Sequence, residues 1–287
     1  MELVQRIRQV TVLGAGQMGS GIAQTLAQYG YDTTLYDISD AAVERGMASI
    51  GSSLDRLVKK GRLSPEQKQS AWSKLTPVTA LQSCAHSDFV IEAVPEQLDL
   101  KLRLFQELDR LCPPHAILAT NTSSLPITAI AGATKRPDLV IGMHFMNPVP
   151  IMPLVEVIRG LATAEDTVKL TTELAEAIGK TAICVADYPG FIANRILMPM
   201  INEAIYAVYE GVASPESIDQ IMKLGMNHPM GPLALADFIG LDTCLFIMET
   251  LHAGFGDSKY RPCPLLRNYV AAGWLGKKTG KGFYSYE

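Results

Sequence analysis

Three glycines in the run Gly14-Ala15-Gly16-Gln17-Met18-Gly19 follow directly on the β-branched segment Val10-Thr11-Val12, and Asp37 closes a second apolar run, TTLYD. The first glycine permits a tight turn, the second lets the backbone approach a pyrophosphate, and the third lets a helix pack close to the strand. The residues that follow (Ile22, Ala23, Leu26, Ala27) carry a helical pattern, whose N-terminal N–H groups would face the phosphate. Asp37 lies 18 positions past Gly19, where a carboxylate can accept the ribose hydroxyls of a dinucleotide. It would repel a 2′-phosphate, so the expected cofactor is NAD rather than NADP. The other reading of Asp37 is a cap for the helical segment after Ser39.

A bound dinucleotide accepts hydride, and the chemistry then needs a base and a group to orient it. His144 ends an apolar run in GMHFMNP, and Glu156 is an isolated carboxylate in LVEVI. Each is six positions from Pro150, at the centre of the reversal between them. If the two strands run antiparallel, equal offset and equal parity put both side chains on one face. A buried carboxylate needs a partner, and an imidazole is the nearest. Glu156 would then fix the tautomer and stabilise the imidazolium while the other ring nitrogen exchanges a proton. The alternative is a salt-linked core pair. NTSSLP (121–126) ends another strand with small polar side chains and reads equally as a turn capping a helix from Pro126. Asn194, in PGFIANR, falls in the first turn of a long helix and by itself reads as a cap or surface residue. His86, His115, His228 and His252 show no partner pattern and read as surface or packing residues.

These groups must be held by a frame, and the chain shows one. After Asp37, residues 39–75 carry helical spacing (Val43, Met47, Ile50, Leu54, Leu57, Val58), a break at Lys60-Gly61 and a new start at Ser64-Pro65-Glu66. That stretch reads as a helical hairpin inserted in the sheet. Strand signals resume at 89–94, 116–121, 139–145, 154–158 and 181–185, with helices at 98–111 and 164–178. The alternation predicts a Rossmann-type, mostly parallel, doubly wound sheet. Beyond Asp187-Tyr188-Pro189-Gly190 only helical periodicity remains, at 191–210, 214–224, 233–251 and 265–272. The expected division is a nucleotide-binding domain over 1–186 and an all-helical domain over 187–287. The helix over 191–209 is apolar on several faces, and no other long apolar helix is evident to cover it, so a homodimer is expected.

The chain has 287 residues and a net charge of −4, with no basic stripe suited to nucleic acid and no charge-free apolar run long enough for a bilayer. Only six residues precede the first strand, too few for a signal or transit peptide, and a cytoplasmic location is expected. Five scattered cysteines without CxxC spacing read as reduced thiols, with neither a disulfide framework nor a zinc site. Of these, Cys84, Cys112, Cys184 and Cys244 read as small core residues. No metal-ligand constellation is evident.

Taken together, these pieces resemble the L-3-hydroxyacyl-CoA dehydrogenase family in its short, single-function form. The likeness runs through VLGAGQMGSGIAQ, IEAVPE with Lys101 after it, ATNTSSLPIT, GMHFMNPVPIMPLVEVI, DYPGFIANRI, GPLALADFIGLD and GKKTGKGFY, covering nearly the whole chain. It implies NAD-dependent interconversion of (S)-3-hydroxyacyl-CoA and 3-ketoacyl-CoA, with the hydroxybutyryl ester as expected substrate. It makes His144 the base and Glu156 its partner, and gives Ser123 and Asn194 the substrate's 3-oxygen and thioester region. Glu96, Lys101, Asn147 and Lys278 would line the nicotinamide-ribose side, and Ser53 and Lys60 would hold the CoA end. A histidine, with an unperturbed pKa of about 6.5, can both remove and return the proton near neutral pH. A same-superfamily dehydrogenase acting on a small hydroxy acid or sugar acid would keep the glycines, Asp37, His144 and Glu156, but need not keep Ser53 and Lys60. A non-enzymatic NAD-binding protein would have no use for the His144–Glu156 pair, and no residues remain for a fused hydratase module.

Overall fold

The computed structural model describes residues 6–286. The chain divides into two compact units, Met1–Asp187 and Tyr188–Glu287.

In the first unit, β1 (Gln9–Leu13), α1 (Gln17–Gln28) and β2 (Asp32–Tyr36) form the opening βαβ unit. The inserted hairpin follows as α2 (Asp40–Lys59) and α3 (Pro65–Ser73). Its two starts are set by serines. Ser39 accepts from Ala42 N–H, and Ser64 forms a reciprocal capping box with Gln67 ahead of Pro65. A short β3 (Leu75–Val78) comes next, then β4 (Phe89–Glu92), α4 (Leu98–Leu111), β5 (Ile117–Thr120), α5 (Ile127–Gly132) and β6 (Val140–Phe145). The unit closes with β7 (Leu154–Arg159), α6 (Glu165–Ala177) and β8 (Thr181–Ala186).

The eight strands lie in the order β3-β2-β1-β4-β5-β6-β7-β8, and every neighbouring pair is parallel except β6 and β7. Central strands are buried on both faces, which is why β4 and β5 read as unbroken apolar runs rather than alternating ones. One face packs on α1, α2 and α6 through Ile22, Leu26, Ile50, Leu54 and Leu174. The other packs on α4 and α5 through Phe105, Leu108 and Ile130. The doubly wound sheet with its hairpin insertion is thus as the sequence predicts.

Two details differ. The stretch expected to stay helical to Leu75 gives way there to β3, a four-residue edge strand whose Pro77 has no N–H for a further neighbour. Cys184, expected in the core, is exposed, because β8 is the opposite edge and carries little cover along its length. Cys84, Cys112, Cys244 and Cys263 are buried.

The second unit contains α7 (Ala193–Tyr209), α8 (Pro215–Gly225), α9 (Pro232–Ile239), α10 (Leu241–Phe255) and α11 (Pro264–Ala271). Among its described residues it has no strand beyond the isolated bridges Gly276–Lys281 and Lys281–Ser285. The span read as one helix over 233–251 is two, because Gly240 adopts a φ of +103° and redirects the backbone between α9 and α10. The expectation that nothing covers α7 is also corrected. It packs against α9, α10 and α11 around a core of Met198, Ile201, Ile205, Leu233, Met248 and Leu251. No helix among the described residues is long and apolar enough to cross a membrane.

Candidate active site

The parallel strands β1, β4, β5 and β6 end on the same edge of the sheet, the edge where open α/β sheets bind ligands. Each delivers polar groups there. After β1, Gly14 has a φ of +96°, and a Cβ on it would lie 2.6 Å from the Ala93 carbonyl oxygen. A Cβ on Gly19 would lie 1.7 Å from the Gly14 carbonyl oxygen, so α1 is seated directly against the turn. Gly16 differs from both, being exposed, with no atom within 4 Å of its Cβ position. No side chain caps α1 at Gly16. An open approach above an uncapped helix start fits the pyrophosphate of NAD.

Asp37 follows β2 and braces this loop. Its Oδ2 accepts from Ala15 N–H (2.7 Å) and its Oδ1 from Ile38 N–H (2.7 Å). The cap of α2 is Ser39, so Asp37 does not have that role.

The end of β4 holds a buried charge cluster. Glu92, fully buried, accepts from Lys101 Nζ (2.5 Å) and Val94 N–H (2.7 Å) through Oε1, and from Thr120 Oγ1 (2.6 Å) through Oε2. Lys101, itself buried, also reaches the Val94 carbonyl (3.3 Å) and lies 3.4 Å from Glu96 Oε2. Glu96 Oε1 gathers the loop after β5, accepting from Thr122 Oγ1 (2.6 Å), Ser123 N–H (2.8 Å) and Ser124 N–H (3.2 Å). The 121–126 turn is therefore organised by Glu96, whereas the first N–H groups of α5 are capped by Asp187, at 3.1 Å from Ile127 and 2.7 Å from Thr128. Asn121 ties this turn to the next strand by accepting from Phe145 N–H (2.8 Å).

His144 is the fifth residue of β6 and stands opposite Glu156 in the antiparallel register of β6 and β7. Their side chains meet, with His144 Nδ1 at 2.8 Å from Glu156 Oε2, and both are buried. Just beyond, Asn147 is exposed and accepts from Gln17 Nε2 (3.1 Å), linking this turn to the glycine loop.

The remaining candidates lie on other elements. Ser53 and Lys60 lie seven residues apart on α2 and at its C-terminal cap, half-buried and exposed respectively. In the second unit, Asn194 is buried in the first turn of α7, and Lys278 is exposed and paired with Asp242 at 2.6 Å. His86, His115, His228 and His252 are exposed or half-buried. Among the described residues, no group of three or more His, Cys, Asp or Glu could hold a metal ion.

Sequence reasoning missed Glu92, Thr120 and Asp187. Glu92 carried a usable signal, since it is a lone carboxylate in an apolar strand just as Glu156 is.

Comparison with known proteins agrees with this geometry. Residues 9–188 match the family model "3-hydroxyacyl-CoA dehydrogenase, NAD binding domain", and residues 190–286 match "3-hydroxyacyl-CoA dehydrogenase, C-terminal domain". A Bacillus subtilis protein named "Probable 3-hydroxybutyryl-CoA dehydrogenase" is 62% identical over 281 residues, 98% of each chain. A 3-hydroxybutyryl-CoA dehydrogenase of Bradyrhizobium diazoefficiens is 53% identical, over 98% of this chain and 96% of that one. The crystal structure of (S)-3-hydroxybutyryl-CoA dehydrogenase from Ralstonia eutropha superposes with a TM-score of 0.95 at 52% identity, over 98% of this chain and 99% of that one. With the glycine loop, Asp37 and both domains accounted for, the chain belongs to the NAD-dependent 3-hydroxyacyl-CoA dehydrogenase family.

Proposed function

We propose that the chain oxidises (S)-3-hydroxybutyryl-CoA to acetoacetyl-CoA with NAD and catalyses the reverse reduction with NADH. The observation that carries this reading is the buried His144–Glu156 hydrogen bond at the ligand edge of an NAD-binding sheet. When bound, NAD supplies the hydride acceptor. With Nδ1–H donating to the Glu156 carboxylate, the neutral imidazole keeps its lone pair on Nε2. His144 Nε2 takes the 3-hydroxyl proton as the C3 hydride leaves, and in reverse the imidazolium returns it to the forming alkoxide. Glu156 holds the ring's orientation and tautomer.

Ser123, on the turn gathered by Glu96, and Asn194 are proposed to hold the 3-oxygen and thioester region. Glu96, Lys101, Asn147 and Lys278 are assigned to the nicotinamide-ribose side, with Lys101 acting from within the protein through Glu96. Ser53 and Lys60 are assigned to the CoA end. Residues 1–186 serve cofactor binding, and 187–287 complete the substrate machinery and dimerise. The dimer is supported by apolar side chains left exposed along α7 and beside it, Ile192, Ile196, Tyr209 and Val212 among them. Light scattering at micromolar concentration should return the mass of two copies. Five free thiols are in keeping with a cytoplasmic enzyme.

Initial rates with acetoacetyl-CoA and longer 3-ketoacyl-CoA esters, using NADH and NADPH, test the substrate. Turnover of acetoacetyl-CoA with NADH, competitively inhibited by free CoA, is expected. Activity confined to small hydroxy acids and indifferent to CoA would overturn the reading.

A further inference from the structure

Lys180 follows the end of α6 and precedes β8, a position where a lysine is ordinarily solvated. Here the side chain turns inward and only 9% of the residue is exposed. Its Nζ donates to the Val149 carbonyl (2.5 Å) and to the Met152 carbonyl (2.9 Å). Both acceptors are neutral main-chain groups, and burial pushes the ammonium pKa down. Holding a charge against carbonyls alone is unfavourable compared with an apolar side chain of the same length. Its presence directs attention to what it holds.

That is the turn joining β6 to β7, whose two strands carry His144 and Glu156. The turn leans on α1, the helix that starts at the glycine loop. A Cβ on Gly21 would lie 2.9 Å from Val149 Cβ and 3.5 Å from Pro150 Cδ. Asn147, in the same turn, takes the Gln17 amide of the loop itself. Lys180 therefore fastens, from β8's side of the sheet, the segment that borders the cofactor loop.

We infer that Lys180 is a positioning residue for cofactor binding: by clamping the Val149 and Met152 carbonyls it seats the 147–152 turn against α1 and so sets Asn147 beside the glycine loop. The inference rests on the NAD-dependent reading and adds to it a residue that touches neither cofactor nor substrate.

Lys180→Met keeps the length and removes both hydrogen bonds. The dissociation constant of NADH, followed by its fluorescence on the enzyme alone, should rise about five- to tenfold, the scale of one ordinary net hydrogen bond, because the lost bonds act on the ligand only through the turn. The melting curve should remain a single cooperative transition, while kcat and the KM for acetoacetyl-CoA stay within about twofold, as expected of a group whose loss affects one ligand only. Lys180→Gln, with a shorter donor that can serve one carbonyl, should show a smaller rise and replaces the Met variant if that one does not fold. An NADH dissociation constant unchanged in a folded variant overturns the inference. So does an equal rise in the KM of NADH and acetoacetyl-CoA, which would mark general loosening. The NADH titration needs no acyl substrate, so it decides the role of Lys180 whether or not acetoacetyl-CoA is turned over.

Discussion

Two carboxylates, Glu92 and Glu156, stand in apolar strands of the same sheet and are almost equally buried, yet their partners differ in kind. Glu92 meets the ammonium of Lys101 and fills its remaining sites with Val94 N–H and Thr120 Oγ1. Glu156 meets His144, the one side-chain type whose charge comes and goes near neutral pH without special tuning. Burial makes both pairs expensive to break. Only the second can pass a proton to a ligand and take it back. A lone acid in an apolar strand thus signals a buried pair, and the partner's chemistry decides whether the pair frames the site or works in it.

The comparison breaks most visibly at His144. His144→Gln should lower kcat by about 10²–10⁴-fold, the range of general acid–base catalysis, with NADH binding nearly unchanged. Glu156→Gln should also lower kcat strongly, because an amide can accept from Nδ1–H but cannot stabilise the imidazolium by charge. Variants that instead lose thermal stability while keeping kcat would make His144–Glu156 a second framework pair, and the distinction drawn here would collapse.

Lys101 should behave in the opposite way. Lys101→Met leaves the Glu92 carboxylate buried without its counter-charge, which typically costs about 3–5 kcal/mol of stability. Urea unfolding would measure it. Adding Glu92→Gln should recover part of that loss, since the uncompensated charge is then gone. If the double variant is no more stable than the single, the buried ion pair is not what Lys101 contributes.

Asp37 is a third carboxylate, half-buried, and among the described residues its hydrogen bonds come from the main-chain N–H groups of Ala15 and Ile38. No cation neutralises it in these contacts, so it should repel the 2′-phosphate of NADPH. Wild-type kcat/KM should favour NADH, and Asp37→Ala should narrow the preference by at least about tenfold, on the scale of one lost charge contact. Equal or better use of NADPH by the wild-type enzyme would remove that role from Asp37.

What the sequence made legible follows from the range over which each signal acts. The three glycines, Asp37 and the capping serines are local signals, and β1, α1 and the α2–α3 hairpin sit where those residues imply. The facing of His144 and Glu156 follows from parity about Pro150 once the strands are antiparallel. β3 escaped notice because four residues with a proline carry too little periodicity to separate a strand from the end of a helix. Gly240 punctuates the sequence visibly, but apolar residues on both sides let 233–251 read as one helix, and Cys184 was hidden by a strand whose edge position depends on the whole sheet order. Lys180 was illegible for a further reason. Its partners lie 31 and 28 residues earlier, and nothing in IGKT distinguishes a clamped lysine from a solvated one.

The smallest effect sharpens the comparison from outside the sheet. Asp109, on α4, pairs with Arg136 at 2.8 Å and accepts from Lys135 N–H at 2.9 Å, in a setting less buried than that of Glu92. Burial alone would raise its pKa, but the Lys135 N–H, the Arg136 guanidinium and the Lys135 charge outweigh it and hold the carboxyl below its usual value. A carboxyl depressed in the folded state binds fewer protons there than in the unfolded chain. Its stabilisation is therefore complete above the unfolded pKa of about 3.9 and is lost as pH falls through the folded value. Asp109→Asn should destabilise the protein by about 1–3 kcal/mol at pH 7, the worth of hydrogen bonds to a charged group. The gap between variant and wild type should begin to narrow as pH drops below about 4 and close only below the depressed folded value, where the wild-type carboxyl is itself neutralised. Urea midpoints at pH 7, 5 and 3.5 would trace this. A gap that stays constant across the three would mean that Asp109 holds α4 by packing and geometry, and that its charge contributes nothing to the pair.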